Sequence, residues 1–555
     1  MRLEEIRIQN YRSIDDVILR FPLGKPVVLL GPNNAGKTSI LSAIQTVNTN
    51  DDQGTGKLNE DGTMSFTEDE IGKFFANRGI KRLWQESNEA GCYAGVTDST
   101  VISLSFEDKE GRIIEKEISF QYDSGKKKFL PKETIKALSI WPPVPAEKKY
   151  FTAAFYEKDA ESKLEEGSWQ KDLFDSIRNE IERSIDQVAG FQGLSLDTKQ
   201  PHTAASNPFN RGDGEKSYFL RLNPLESAEK LAKLSKNIDS DTPHHLVLID
   251  EPETHLHPNA EEALLEGIEK ACQEGVQVVY ATHSENFLSA DNIEGFVRVY
   301  KDKDGVTKVR QLTKDELFYT CHIRGEDPYK ELPIGEHYYS VKINSDQLKG
   351  FFADIILLVE GQTEYYALPI YLSRTFLSKR GIQIVTCGSK SAIQTYWRLF
   401  TAYGYKCFVL YDHDTDEDKK RAKDGKSDLN KELELFFNDK KQPGKGYSFC
   451  LTAACFKKNW EDYFEKDLGS EYKAIKDDLE KHYEISFAKD REKASCAKAI
   501  ALRSKEIGHR DIPFIKDLRR QLEELDNMSQ EDYAKYVETV KEKLREIKNS
   551  QSKDR

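Results

Sequence analysis

Several features that mark other protein classes are missing from this chain of 555 residues. No apolar run approaches the roughly 18 residues that a membrane-spanning helix needs, and the first residues contain no apolar signal-peptide core. The eight cysteines are scattered without a Cys-x-x-Cys pair, which argues against a zinc ribbon or a disulfide framework. We therefore expect a cytoplasmic protein with buried free thiols and no association with membranes.

Positive charge is also in deficit, because the formal net charge is −13 at pH 7. That balance argues against general coating of nucleic acid but not against a local basic surface. The length predicts two to four domains. With 38% hydrophobic and 32% charged residues, the composition is that of a globular protein.

A phosphate-binding loop is the clearest motif in the first half. The apolar run Val27 to Leu30 enters a G-x-x-x-x-G-K-T segment at residues 31–38, and a helical pattern follows. In this context backbone N–H groups approach the phosphates, Lys37 reaches the β- and γ-phosphates, and the Thr38 hydroxyl ligates Mg²⁺. The residues predicted to bind ATP with Mg²⁺ here are Asn33, Asn34, Gly36, Lys37, Thr38 and Ser39.

A second apolar run, Leu246 to Ile249, ends in two acids. Asp250 is predicted to hold the Mg²⁺ of the nucleotide, and Glu251 to orient or deprotonate the attacking water. Further along, the run from Val276 ends at His283, which we expect to sense the γ-phosphate. A strand-end histidine without a catalytic role is the alternative.

These motifs together resemble the ATP-binding-cassette (ABC) ATPases of the chromosome-maintenance and recombination-repair type (SMC/RecF-like). The resemblance implies ATP held between two subunits, hence a homodimer or homotetramer formed through the ATPase domains. The partner subunit's signature would be Gly212 and Gly214, although Arg211 stands where serine is usual. The glycines permit close approach to a phosphate; a plain glycine turn is the alternative.

The segment between these motifs is harder to interpret. Val101 to Phe106 and Ile113 to Phe120 are predicted to pair as strands. Helical spacing from Phe174 to Val188 indicates either a helical dimerisation insertion at about residues 150–200 or a core helix.

Two further apolar runs in the second half stop abruptly at carboxylates. Ile356 to Val359 leads to Glu360 and Glu364, and the run from Cys407 leads to Asp412 and Asp414. Buried parallel strands have this pattern, and ligands bind at the carboxyl ends of such strands. Several acids at one edge would repel each other unless divalent cations lay between them.

This segment resembles the Toprim fold, and the pattern Val-Glu-Gly-x-Thr-Glu at residues 359–364 is similar to that of the overcoming-lysogenisation-defect (OLD) nucleases. The resemblance implies an α/β chain with an ABC-type P-loop ATPase domain at residues 1–345, a Toprim nuclease domain at 346–470 and a C-terminal helical region at 471–555 that completes the nuclease. It adds Glu461 as a further acid and Lys493 as a late lysine. From Tyr533 to Ile547 the pattern favours a solvent-facing helix.

The implied activity is a DNA endonuclease that uses two Mg²⁺ or Mn²⁺ ions under control of the ATPase, acting in anti-phage defence. Two such metals activate a water and stabilise the leaving oxygen. The metal ligands would be Glu360, Glu364, Asp412, Asp414 and Glu461, with Lys493 stabilising the transition state. A separate helicase, or a reverse transcriptase with its DNA product, is a possible partner.

Two other classes of function are the alternatives at this stage, a clamp protein and a topoisomerase or primase. An ATP-driven DNA-binding or repair clamp would carry the same ATPase motifs with a merely structural Toprim domain. A topoisomerase needs a positioned tyrosine and strand-passage domains, and a primase usually needs a zinc module, for which no cysteine cluster exists.

Overall fold

The computed structural model divides the chain into two compact units, residues 1–311 and 312–555. It describes the following residues: 2–11, 13–46, 57–58, 64–65, 100–107, 113–123, 128–137, 151–156, 244–253, 258–273, 275–320, 338–413, 433–436, 442–444, 446–483, 492–506 and 512–553. The predicted insertion at about residues 150–200 lies outside them, apart from one strand.

The first unit is built on a mixed sheet. Its described strands are β1 Arg2–Tyr11, β2 Ile14–Arg20, β3 Val27–Leu30, β4 Lys57–Leu58, β5 Met64–Ser65, β6 Thr100–Glu107, β7 Ile113–Asp123, β8 Lys128–Ala137, β9 Phe151–Tyr156, β10 His244–Asp250, β11 Gln277–Ala281, β12 Phe296–Lys301 and β13 Thr307–Gln311. Its described helices are α1 Lys37–Thr46 and α2 Pro258–Gln273, with short 3₁₀ turns at Glu285–Phe287 and Ala290–Gly295. The spatial order of the described strands is β4-β5-β8-β7-β6-β1-β2-β13-β12-β3-β11-β10-β9.

The nucleotide motifs lie on the parallel part of this sheet. Strands β9, β10, β11, β3 and β12 run parallel to one another. All residues of β3 and β11 are buried, as expected for parallel strands covered on both faces. The ends of β3, β10 and β11 therefore meet at one edge of the sheet.

The other half of the sheet is an antiparallel meander in which β1, β6, β7 and β8 pair in turn. The predicted pairing of residues 101–106 with 113–120 is confirmed: Val101 lies opposite Ser119, and Phe106 opposite Ile114.

The second unit contains a smaller sheet. Its described strands are β14 Ile355–Val359, β15 Ile382–Thr386, β16 Lys406–Asp412, β17 Gln442–Pro443, β18 Tyr447–Phe449 and β19 Ala453–Phe456, in the spatial order β15-β14-β16-β19-β18-β17. The first four of that order are parallel, and the last two are antiparallel. Its described helices are α3 Lys314–Thr320, α4 Ser345–Leu348, α5 Gln362–Leu372, α6 Arg374–Lys379, α7 Lys390–Ala402, α8 Trp460–Leu468, α9 Ser470–Tyr483, α10 Lys493–Glu506, α11 Pro513–Asn527 and α12 Gln530–Lys553, with 3₁₀ turns at Lys349–Phe352 and Glu434–Phe436.

Hydrogen bonds join helix α11 to strand β16 and to helix α5. The Lys406 ammonium donates to the carbonyls of Leu525, Asp526 and Met528 at 3.0, 2.8 and 2.6 Å, which satisfies the carbonyl end of α11. The Arg519 guanidinium donates to the carbonyls of Tyr371 and Leu372 at the end of α5, at 2.7 and 3.0 Å.

The helix expected from Tyr533 to Ile547 is present within α12, but one of its faces is buried instead of facing solvent. Tyr533, Val537 and Val540 of α12 are buried, because they recur at helical spacing and form one apolar stripe. The Tyr533 hydroxyl accepts the Cys407 N–H at 2.8 Å and donates to its carbonyl at 3.3 Å. Helix α12 therefore braces the start of β16.

The division between the units falls earlier than the boundary expected at residue 345. Helix α3 packs against α7 of the second unit, and the Thr320 and Tyr339 hydroxyls are hydrogen-bonded at 2.7 Å. The six cysteines among the described residues are free and buried, as expected. None of the helices described is both long enough and apolar enough to cross a membrane.

Candidate active sites

The phosphate-binding loop connects β3 to α1 and depends on two glycines with positive φ. A Cβ on Gly31 (φ +157°) would lie 2.0 Å from the Val299 carbonyl oxygen, and one on Gly36 (φ +115°) would lie 2.3 Å from Thr307 Oγ1. No other residue fits either position without displacing its neighbour. Asn34, also at positive φ (64°), is exposed. Asn33 and Thr38 are exposed as well, and Ser39 is half-buried.

The Lys37 ammonium is buried at the centre of the loop. Its Nζ atom donates to the carbonyls of Gly31 and Pro32 at 2.8 and 3.1 Å and lies 2.9 Å from His283 Nε2. Burial lowers the pKa of Lys37 from its ordinary value, and the acids at 250, 251 and 253 oppose that shift. The pKa of His283 is lowered by burial and by the Lys37 charge. The structure thus brings together Lys37 and His283, the two side chains predicted to contact the γ-phosphate.

The predicted magnesium residues also meet. Thr38 Oγ1 donates to Asp250 Oδ2 at 2.8 Å, so the loop hydroxyl and the acid at the end of β10 face each other. Glu251 follows in a left-handed conformation (φ +49°), and its N–H donates to the Ala281 carbonyl at 2.9 Å. Glu251 Oε1 lies 4.0 Å from His283 Nε2.

Two residues without a predicted role support this site. Glu253 accepts hydrogen bonds from the Thr282 hydroxyl at 2.9 Å and from the His283 N–H at 2.6 Å. Thr307 lies beneath the loop, where its hydroxyl donates to the Ala35 carbonyl at 2.9 Å. Glu253 stands in the same acidic segment as Asp250, and that nearness was an available signal. Thr307 belongs to no motif.

In the second unit, the predicted acids lie at the carboxyl ends of neighbouring parallel strands. Strands β14 and β16 pair with Val359 opposite Leu410, so Glu360 and Asp412 follow at the same end of the sheet, one residue out of register. The Asp412 N–H donates to Glu360 Oε2 at 3.3 Å. The apolar runs at residues 355–359 and 407–411 are fully buried. The acids that follow these runs therefore lie at the edge of the sheet.

Glu364 lies in the first turn of α5, where its carboxylate accepts the Gly361 N–H at 3.2 Å. It is 4% exposed. Burial, with a smaller contribution from the negative charges of Glu360 and Glu461, raises its pKa to about 7, and the backbone hydrogen bonds act against this shift. Three of the predicted acids therefore interact electrostatically.

Glu461 reaches the same edge from α8, which follows β19. The Trp460 N–H at the start of that helix donates to Asp412 Oδ2 at 3.3 Å, and Asn459 caps the helix by accepting the Asp462 N–H at 2.8 Å. This cap fixes the direction in which α8 leaves the sheet.

Lys493 is exposed at the first position of α10. Helix α10 packs along α5, the helix that carries Glu364.

Asp414, Gly212 and Gly214 lie outside the described residues, and their predicted roles stay predictions. Within the part of the chain that the structure describes, no three carboxylate, imidazole or thiol groups are close enough to form a ready metal cage.

Comparison with known families now bears on both sites. Residues 351–414 match the family model "Overcoming lysogenization defect protein-like, TOPRIM domain". Residues 27–289 match "AAA domain, putative AbiEii toxin, Type IV TA system", and residues 1–48 match a further AAA domain model. The chain therefore joins an AAA-type ATPase domain to an OLD-like TOPRIM domain, and the resemblance expected from the sequence is confirmed.

Individual relatives agree with these models. The Old nuclease of Escherichia phage P2 is 32% identical over 188 residues, which cover 33% of this chain and 30% of the phage protein. Endonuclease GajA of Bacillus cereus (strain HuB5-5) is 24% identical over 217 residues, covering 35% of this chain and 31% of that protein. The matched segments thus span about a third of the relatives' length.

Among solved structures, the SMC head domain from Thermotoga maritima covers 56% of this chain and 100% of its own, with 13% identity and a TM-score of 0.29. The fold assignment rests instead on the strand order and on the family models.

Proposed function

We propose that this chain is an ATP-binding, divalent-metal-dependent DNA endonuclease, whose second unit hydrolyses phosphodiesters under the control of the first. The observation that carries the proposal is the meeting of Glu360, Asp412 and the buried Glu364 at one end of the TOPRIM sheet. The printed names of the relatives, Old nuclease and Endonuclease GajA, support it.

The residues at this edge fit a divalent cation. Every predicted ligand offers carboxylate oxygen, which suits Mg²⁺ or Mn²⁺. The pKa of Glu364 supports this fit. Burial and acidic neighbours raise that pKa, so the cluster favours an added proton, and a bound cation would take the place of that proton. Glu360, Glu364, Asp412 and Glu461, together with Asp414, would hold it. When bound, such ions supply a Lewis acid and an activated water.

The chain's own groups orient the reaction. The Trp460 N–H fixes one oxygen of Asp412, and the Asp412 N–H fixes one oxygen of Glu360, so these carboxylates are held before substrate arrives. Lys493, exposed at the start of α10, would neutralise charge on the DNA phosphate.

In the first unit, Lys37, Thr38 and Asp250 would hold ATP with Mg²⁺, Glu251 would activate water, and His283 would contact the γ-phosphate. We propose a homodimer or homotetramer formed through these ATPase domains, cytoplasmic action on DNA in anti-phage defence, and a helicase or reverse-transcriptase partner as an optional addition. ATP would regulate the cut instead of driving it.

The test is cleavage of supercoiled plasmid with Mg²⁺, Mn²⁺ or Ca²⁺, with and without ATP. We expect wild type to cut with Mg²⁺ or Mn²⁺, Glu360→Ala and Asp412→Ala to lose at least about a hundredfold in rate, and Lys37→Ala to lose only the response to ATP. Asp477→Ala, which removes an exposed acid of α9, is the matched control.

Full cleavage by both site variants would refute the assignment of the nuclease site. Nucleotide-dependent DNA binding by a wild type that never cleaves would favour the clamp function instead.

A further inference from the structure

Beside the loop lysine and the two acids of the nucleotide site stands a third acid, Glu253. Its carboxylate uses both oxygens toward the end of β11: Oε2 accepts the Thr282 hydroxyl and Oε1 accepts the His283 N–H. Glu253 thereby ties the segment after β10 to the segment after β11. No other described side chain bonds the backbone of His283.

The hydrogen bond with Lys37 determines the tautomer of the His283 ring. The Lys37 ammonium has three N–H donors, and two of them point to the carbonyls of Gly31 and Pro32. The third faces His283 Nε2 at 2.9 Å. Because an ammonium can only donate, Nε2 must accept, and the ring proton lies on Nδ1.

This contact depends on where the backbone of residue 283 is held. The ring meets Lys37 on one side, and the Glu251 carboxylate at 4.0 Å is beyond hydrogen-bond distance. The backbone supplies the other constraints. The fully buried Thr282 donates its N–H to the Leu29 carbonyl at 3.4 Å, and Glu253 accepts both the Thr282 hydroxyl and the His283 N–H.

We propose that Glu253 is a positioning residue of the nucleotide site, which fixes the end of β11 so that the His283 imidazole is set against Lys37 and, in the complex, against the γ-phosphate. The part of this statement that concerns the γ-phosphate rests on the proposed function. Glu253 does not touch substrate; it acts through His283.

The first test observes the ring directly, in full-length protein labelled with ¹⁵N-histidine and without nucleotide. His283→Gln assigns the resonance. We expect wild type to show His283 with its proton on Nδ1, and Glu253→Ala to show a mixture of both tautomers. Glu253→Gln should lie between, because an amide oxygen can still accept one of the two donors.

A matched control comes from Glu261, a buried carboxylate that accepts hydrogen bonds from the Ser284 hydroxyl and the Asn286 amide just beyond the histidine. Glu261→Ala should lower the melting temperature about as much as Glu253→Ala while keeping the wild-type tautomer. An unchanged tautomer in Glu253→Ala would overturn the proposal.

The second test is ATP turnover. Glu253→Ala should lower kcat by about tenfold to a hundredfold, as misplacement of a reacting group does, while nucleotide affinity changes less than about threefold. The double variant Glu253→Ala/His283→Ala should be no slower than His283→Ala, because residues acting as a unit are not additive.

Multiplicative losses in the double variant would show that Glu253 acts independently of His283 and would overturn the proposal. If wild type neither binds nor hydrolyses ATP, the proposed nucleotide function fails, whereas the tautomer comparison still decides whether Glu253 positions His283.

Discussion

The two sites balance their charges in opposite ways. In the nucleotide site, Lys37 is the built-in cation, Asp250 accepts from Thr38, and Glu253 accepts from the end of β11. In the TOPRIM site, the groups that act on the buried Glu364 through their charge, Glu360 and Glu461, are also acids. Both sites lie at the carboxyl ends of parallel strands, but the buried charged side chain is a lysine in the first and a glutamate in the second.

The difference shows what each site requires from outside. Burying like charges together is costly unless something neutralises them. The nucleotide site presents donors that suit an anion, whereas the acidic edge of the second unit is where we propose that a cation binds. The following predictions test that contrast, from the largest expected effect to the smallest.

One added methyl group in the phosphate-binding loop should disrupt nucleotide binding. In Gly36→Ala the added Cβ would collide with Thr307 beneath the loop, at a φ that alanine rarely adopts. We expect ATP affinity, measured with a fluorescent analogue, to fall more than about a hundredfold, since the backbone N–H groups would no longer converge. Gly275→Ala has a similar φ (+101°) but open space and should bind ATP normally. Normal ATP binding by Gly36→Ala would show that Thr307 does not restrict residue 36 to glycine.

Removing the charge of Glu364 should reduce the electrostatic repulsion in the TOPRIM site. The pKa of Glu364 is raised to about 7 in the folded chain by burial and then by its acidic neighbours. The folded state therefore binds the extra proton, and stability falls as pH rises from the ordinary carboxyl pKa through about 7. Without divalent metal, Glu364→Gln should be more stable than wild type at pH 8 by about 1–3 kcal/mol, with little difference at pH 5.

Chemical denaturation at the two pH values measures this effect, and glutamine keeps an oxygen for the Gly361 N–H. Glu465→Gln, at an exposed position of α8, should leave stability unchanged at both. Parallel pH profiles for wild type and Glu364→Gln would contradict the prediction, and with it the view that burial and acidic neighbours raise the pKa of Glu364.

The last prediction, whose effect is confined to stability, concerns the hydrogen bond between Tyr533 and the start of β16. Tyr533→Phe removes the acceptor of the buried Cys407 N–H, and an unsatisfied buried donor costs about 1–3 kcal/mol. We expect lower thermal stability of the second unit with unchanged ATP affinity. Tyr319→Phe, at a tyrosine 67% exposed, is the control. Equal melting temperatures would mean that α12 does not hold the strand.

Local patterns were enough to predict the loop glycines, Asp250, and the acids at the ends of β14 and β16. Each follows an uninterrupted apolar run, which marks a buried parallel strand and its carboxyl end. What the patterns could not show are contacts made across the fold. Thr307 beneath Gly36 and Tyr533 on Cys407 pair residues far apart in sequence, and a helical stripe such as that of α12 does not say what it will cover.

The bond between Cys407 and Tyr533 links residues 126 positions apart, and this has a consequence during synthesis on the ribosome. Residues 1–311 form their own unit and can fold as soon as they emerge, as domains made first generally do. The strand that ends in Asp412 is not braced until α12 has been translated. Chains released early would thus contain the first unit in full but lack the hydrogen bonds that hold the start of the strand ending in Asp412.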